Sequence, residues 1–159
     1  MISHLRHTGD DVRAKRDLRL KMKPGTAVLG SIDGGWWPWS TDPAAEFPAL
    51  VMALSSWVGP VRDIAYDFDA WDSAEPTLTV EGWTVGLAGS PAMPANTVVL
   101  TGLNLKRIRL LVVPPTTLGG AARAVLRSAS GSATTATAED ILTSNGVSLG
   151  ERPSVGTPA

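Results

Sequence analysis

The order in which the hydrophobic period changes along the chain constrains its fold more than any other feature. Leu18-Arg19-Leu20-Lys21-Met22-Lys23 alternates strictly, with Leu18, Leu20 and Met22 on one face and basic side chains on the other, which predicts a half-buried strand. A single helical stripe follows, in which Phe47, Leu50, Val51, Leu54, Trp57 and Val58 recur at helical spacing. Asp42 is its expected N-cap, Pro43 its first helical residue, and Glu46 lies near the positive end of the dipole. Pro48 predicts a break between a first turn and the main body. After Gly59-Pro60 the period returns to two, and Val61 to Trp71 reads as a strand with Ile64, Tyr66 and Phe68 on one face and Asp63, Asp67 and Asp69 on the other.

Two hairpins come next. Thr77 to Val80 and Trp83 to Leu87 flank the tight turn Glu81-Gly82, and Thr97 to Thr101 and Arg107 to Val113 are joined by Gly102-Leu103-Asn104-Leu105-Lys106. Pro114-Pro115 stops the last strand. An Ala-rich helix from Leu118 to Ala129 presents a small-residue packing face, and Thr137 with Asp140 forms a capping box for a short helix ending at Asn145-Gly146. Strands and helices do not alternate as β-α-β-α, so a parallel Rossmann-like sheet is disfavoured. The expected fold is α+β, a twisted antiparallel sheet of about five to six strands with helices packed mainly on one face. Residues 1–16 are polar and aperiodic and are expected to be a disordered extension, 17–146 a single domain, and 147–159 a flexible tail.

With 159 residues and 43% hydrophobic composition, such a domain needs no cross-links to form a core. The absence of cysteine removes zinc-finger, thiol-redox and cysteine-nucleophile readings. Neither a secretory h-region nor an apolar run long enough for a bilayer occurs, which leads to the expectation of a cytoplasmic protein without a membrane partner. The net charge of −1 conceals three blocks: seven basic residues against three aspartates in residues 1–23, nine carboxylates against Arg62 in 33–81, and Lys106, Arg107, Arg109, Arg123 and Arg127 with no acid in 82–138. Strands of opposite sign pair across sheets, which is the simpler account of this segregation. A positive face built from Arg19, Lys21, Lys23, Lys106, Arg107 and Arg109 would suit nucleic acid, but an RNA-recognition aromatic motif is missing and nucleic acid is disfavoured.

Chemically competent residues are few. Both histidines, His4 and His7, lie in the N-terminal extension, which argues against a Ser-His-carboxylate triad and against a zinc site. No P-loop occurs, and Asp67-Phe68-Asp69-Ala70-Trp71-Asp72 fails the EF-hand pattern at its sixth and twelfth places. No cofactor and no metal are expected. Asp33, Asp67 and Asp69 remain as a conceivable carboxylate set, although a solvated strand face is the favoured account of Asp67 and Asp69. Tryptophan is the stronger signal. Trp36, Trp37 and Trp39 follow Asp33-Gly34-Gly35, and neighbours on an extended backbone alternate, so one ring enters the core while another is left near the surface. An exposed ring beside Asp33 would stack on a sugar, base or prolyl group; alternatively the rings plug the sheet end against the Phe47 helix, with Asp33 bonding the glycine turn.

Asp33-Gly34-Gly35-Trp36-Trp37-Pro38-Trp39-Ser40, the helix start Ala44-Ala45-Glu46-Phe47-Pro48-Ala49-Leu50, Tyr66-Asp67-Phe68-Asp69-Ala70-Trp71-Asp72 and Leu110-Leu111-Val112-Val113-Pro114-Pro115 together resemble a family of small actinobacterial proteins of unknown function. The likeness runs from about Leu18 to Gly146, with Trp39 standing where that pattern has an arginine. It implies that the segment from Asp33 to Ser40 belongs to the defining structure of the domain, and it brings no activity. The expectation is therefore a non-enzymatic interaction or ligand-binding domain using Asp33, Trp36, Trp37 and Trp39 for an unknown protein or small-molecule partner. The alternative is a carboxylate-dependent hydrolase or transferase using Asp33, Asp67 and Asp69, and a third reading is a homodimer assembled through the Trp surface or a sheet edge.

Overall fold

The computed structural model describes residues 17–24, 32–131 and 136–147; the expected N-terminal extension and nearly all of the expected C-terminal tail lie outside them. Seven strands form one mixed sheet: β1 (Leu20–Met22), β2 (Gly34–Trp36), β3 (Val61–Asp67), β4 (Thr77–Val80), β5 (Trp83–Ser90), β6 (Thr97–Gly102) and β7 (Arg107–Val112), in the order β1-β2-β7-β6-β3-β5-β4. Three helices accompany it: α1 (Pro43–Val58), α2 (Gly119–Ala129) and α3 (Ala138–Ser144). The fold is α+β as expected, but with seven strands rather than five or six, and two strand pairs, β2 with β7 and β3 with β5, run parallel.

The additional strand is β2. Its Gly-Gly-Trp sequence carries low strand propensity, so residues around it read as a turn. It forms because β1 and α2 need a backbone without side chains there. A Cβ on Gly34 would collide with the Lys21 carbonyl of β1, and one on Gly35 would come within 3.0 Å of Ala129 Cβ and Leu126 Cδ2 of α2. Both glycines are thus sites of close approach.

Local signals elsewhere translate directly. Asp42 Oδ1 accepts from the Ala44 amide at 3.1 Å, and the Thr137–Asp140 capping box is complete. Glu81 and Gly82 take φ of 51° and 78°, a pair of left-handed residues suited to a two-residue hairpin. Pro48 does not divide α1, which runs unbroken through it; Ala44, whose carbonyl loses its partner, is exposed to water.

The core is assembled from alternate residues of the same strands. Ile108, Leu110 and Val112 of β7 join Trp36, Ile64, Tyr66, Val98, Leu100 and the α1 residues Phe47, Leu50, Leu54 and Val58 in one buried cluster. Leu111 and Val113 join Trp37 and the buried faces of α2 and α3 in a second. Leu18, Leu20 and Met22 pack against the first cluster as their alternation predicts.

Three expected placements change. Trp57 is exposed: it stands at the edge of the buried stripe in the last turn of α1. β3 stops at Asp67 instead of Trp71, so Phe68 leaves the buried face and is exposed, while Trp71 turns back into the first cluster. Lys23, expected on the open face of β1, is buried where its amide donates to the Asp33 carbonyl.

Candidate functional site

The tryptophan segment leaves β2 at the corner where β1, α1 and the end of β7 converge. Trp36, at 1% exposure, sits in the first cluster, its ring stacked on Trp71 at 5.6 Å and tilted against Phe47 at 5.9 Å. It is a core ring, packed against the Phe47 helix. Trp37, at 9%, points the other way into the second cluster, and its indole N–H donates to the Pro115 carbonyl at 3.4 Å. Trp39 lies beyond the strand and is 42% exposed.

An arginine from β1's approach completes this corner. Arg19 Nε donates to the Trp37 carbonyl and its Nη2 to the Pro38 carbonyl, both at 2.9 Å. Its guanidinium carbon lies 3.6 Å from the Trp37 ring centroid and 3.7 Å from that of Trp39, so the cation is held by two aromatic rings. The backbone pair Trp37 N–H to Arg19 carbonyl, 2.9 Å, continues the β1–β2 ladder to this point and sets the register. Trp39 is fixed in turn: its indole N–H donates to the Asp17 carbonyl at 2.9 Å, and its amide to Glu46 Oε1 at 3.0 Å. Glu46 Oε2 accepts from the Ser40 hydroxyl at 2.8 Å. Glu46 thus ties the segment to the first turn of α1.

Asp33 does not share this corner. Its amide donates to the Arg109 carbonyl at 2.7 Å and its Oδ2 accepts from the Arg109 amide at 2.9 Å, so the carboxylate extends the β2–β7 pairing rather than capping a glycine turn. The candidate set Asp33, Trp36, Trp37 and Trp39 therefore separates into a strand clamp, a core ring, a ring shared between core and Arg19, and one exposed platform. Arg19 was legible only as part of a basic strand face; its aromatic partners come from pairing across eighteen residues.

Nor do the carboxylates converge. The register places Asp33 beside Arg109, Arg109 beside Val99, and Val99 beside Ala65 of β3. Three strand spacings, about 14 Å, separate Asp33 from the β3 axis, and Asp67 lies two residues further along it. Asp67 is buried, with Oδ1 accepting from the Asp69 amide at 3.2 Å, which corrects its expected place on a solvated face: it opens the turn that ends the strand. Asp63 pairs with Arg62 at 2.8 Å at the surface. Among the described residues, no group of three or more acidic or histidine side chains is placed to hold a metal ion, and no helix is long and apolar enough to cross a membrane.

The basic strands are not neighbours either, because β2 separates β1 from β7. A shallow groove between the start of α1 and β4–β5 is lined by residues including Ala44, Glu75, Thr77, Leu78 and Leu87, with Glu75 its sole ionisable side chain. It contains no acid–base pair. Comparison with known protein families matches residues 19–129 to DUF5994, a family of unknown function. No curated protein and no solved structure matches the chain.

Proposed function

The chain belongs to DUF5994, whose function is unknown, and we propose that it is a non-enzymatic binding domain presenting the Trp39 ring to an apolar or prolyl segment of a protein partner. The observation that carries this reading is the Arg19 guanidinium held between Trp37 and Trp39: it fixes a large aromatic surface at the molecular boundary without burying it. A ring locked before binding loses little rotamer entropy on contact, which is what makes tryptophan an effective anchor.

Partner chemistry follows from which polar groups are engaged. Both indole N–H groups, the Trp39 amide and both Glu46 oxygens have partners within the chain. What the corner offers is therefore a π face beside a delocalised cation, suited to stacking on a prolyl ring or aliphatic side chain more than to hydrogen-bonding a sugar. The carboxylate-dependent alternative draws less support, because Asp33 is engaged by Arg109 and lies far across the sheet from Asp67.

Selection from a random peptide display against the full chain tests the reading. Enriched peptides should carry proline or bulky aliphatic residues, lose binding at least tenfold to Trp39→Ala, and retain it with Phe68→Ala, an exposed aromatic elsewhere. Absence of enrichment, or binding indifferent to Trp39→Ala, overturns it.

A further inference from the structure

A second surface, remote in sequence from the tryptophan corner, forms at the N-terminal end of β3. Because β6 is antiparallel and β5 parallel to β3, the β6–β7 loop and the β4–β5 turn both project beside Val61, one on each side. α1 delivers the chain to the same place through Gly59-Pro60, and its end abuts the sheet: a Cβ on Gly102 would collide with the Val58 carbonyl. Both hairpins are pinned to this centre. The Leu103 amide donates to the Pro60 carbonyl at 3.0 Å, and the Trp83 indole N–H to the Val61 carbonyl at 2.8 Å.

Four large apolar side chains stand exposed along this rim: Trp57, Trp83, Leu103 and Leu105, the last at 64%. They come from three separate elements that the chain path and the Leu103–Pro60 and Trp83–Val61 hydrogen bonds bring to one end of β3, and large apolar side chains gathered in this way mark an interaction surface. Charge is distributed across the rim in a specific way. Glu81 is at the tip of one hairpin and Lys106 in the loop of the other, both exposed, and among the described residues neither is in an ion pair. Each tip lies about one and a half strand spacings, about 7 Å, from the β3 axis on opposite sides.

We infer that this rim is the interface of a homodimer, with a twofold axis passing near Pro60 and Val61. Rotation by 180° about that axis brings the Glu81 turn of one copy over the Lys106 loop of the other, and the reverse pair forms at the same time. Trp57, Trp83, Leu103 and Leu105 are thereby covered by their counterparts, as a closed isologous interface requires. A single-sign rim would repel its own copy; Glu81 on one side of β3 and Lys106 with Arg107 on the other, around the internally paired Arg62–Asp63, make this one self-complementary. It is a different surface from the tryptophan corner, so neither proposal depends on the other.

The test is the solution mass of the full chain by light scattering at about 100 µM, far above a micromolar Kd. The wild type is expected at twice the single-chain 16.6 kDa, and Leu105→Asp at the single-chain mass. Glu81→Lys and Lys106→Glu should each weaken the dimer roughly tenfold, by placing like charges opposite each other, while the double variant restores it. All three positions are exposed, and unchanged circular dichroism confirms that the variants fold. A wild-type monomer at that concentration, a dimer that survives Leu105→Asp, or charge reversals that fail to rescue each other overturn the proposal.

Discussion

Arg19 shows how much one side chain contributes when its hydrogen bonds and its packing agree. Its guanidinium gives two charge-assisted bonds to consecutive carbonyls while lying against two indole rings. Arg19→Ala leaves the Trp37 and Pro38 carbonyls without the guanidinium and uncovers the ring faces it lies against; with the site partly exposed, the expected loss is about 1–3 kcal/mol in chemical denaturation. Arg19→Lys should recover less than half of it, since an ammonium cannot stack flat or reach both carbonyls with a planar fork. A Lys variant as stable as wild type would show that the charge alone matters. At this scale the sequence was partly legible. The alternation rule correctly sent Trp36 and Trp37 to opposite sides, since it depends only on backbone geometry. The expectation that one of these neighbours stays near the surface fails: both are buried, in separate clusters, and Trp39 is the exposed ring. The rule could not reveal which cation lies beside them, because Arg19 meets the rings only after β1 pairs with β2.

Elements with their own end signals were readable in advance. Helix α1 begins where Asp42 and Pro43 place it, α3 carries the Thr137–Asp140 box, and both hairpins close at the expected turns. These signals act through neighbouring backbone groups and need no distant partner. β2 is the contrary case, a strand whose residues argue against it and whose existence depends on β1, β7 and α2. Gly34→Ala should therefore cost about 2 kcal/mol or more by urea titration, because the obstacle is the β1 backbone. Gly35→Ala, which meets the Leu126 Cδ2 and the Ala129 Cβ at 3.0 Å and not a backbone carbonyl, should cost less. Equal effects of the two would mean that strand entropy rather than close approach governs the site.

Across the whole molecule, the exposed tryptophans divide between two surfaces: Trp39 at the corner beyond β2, Trp57 and Trp83 on the β3 rim. Acrylamide quenching separates them. Trp39→Phe should remove a component whose quenching is independent of protein concentration, whereas the components lost in Trp57→Phe and Trp83→Phe should become shielded as concentration rises and the rim is covered. Quenching of all components that does not vary with concentration would count against assembly through the rim and leave the corner untouched. Three features follow from the amino-acid sequence by itself: which segments are helical, where α1 and α3 are capped, and the apolar faces of β1 and of β3 as far as Tyr66. All are consequences of local backbone geometry and side-chain period. The parallel pairing of β2 with β7 and of β3 with β5, the enclosure of Arg19, the separation of Asp33 from Asp67, and the gathering of Trp57, Trp83, Leu103 and Leu105 at one end were decided only in the tertiary structure. Each depends on strand order and register, which bring together residues far apart in sequence and which the hydrophobic period, being the same for any strand order, does not encode.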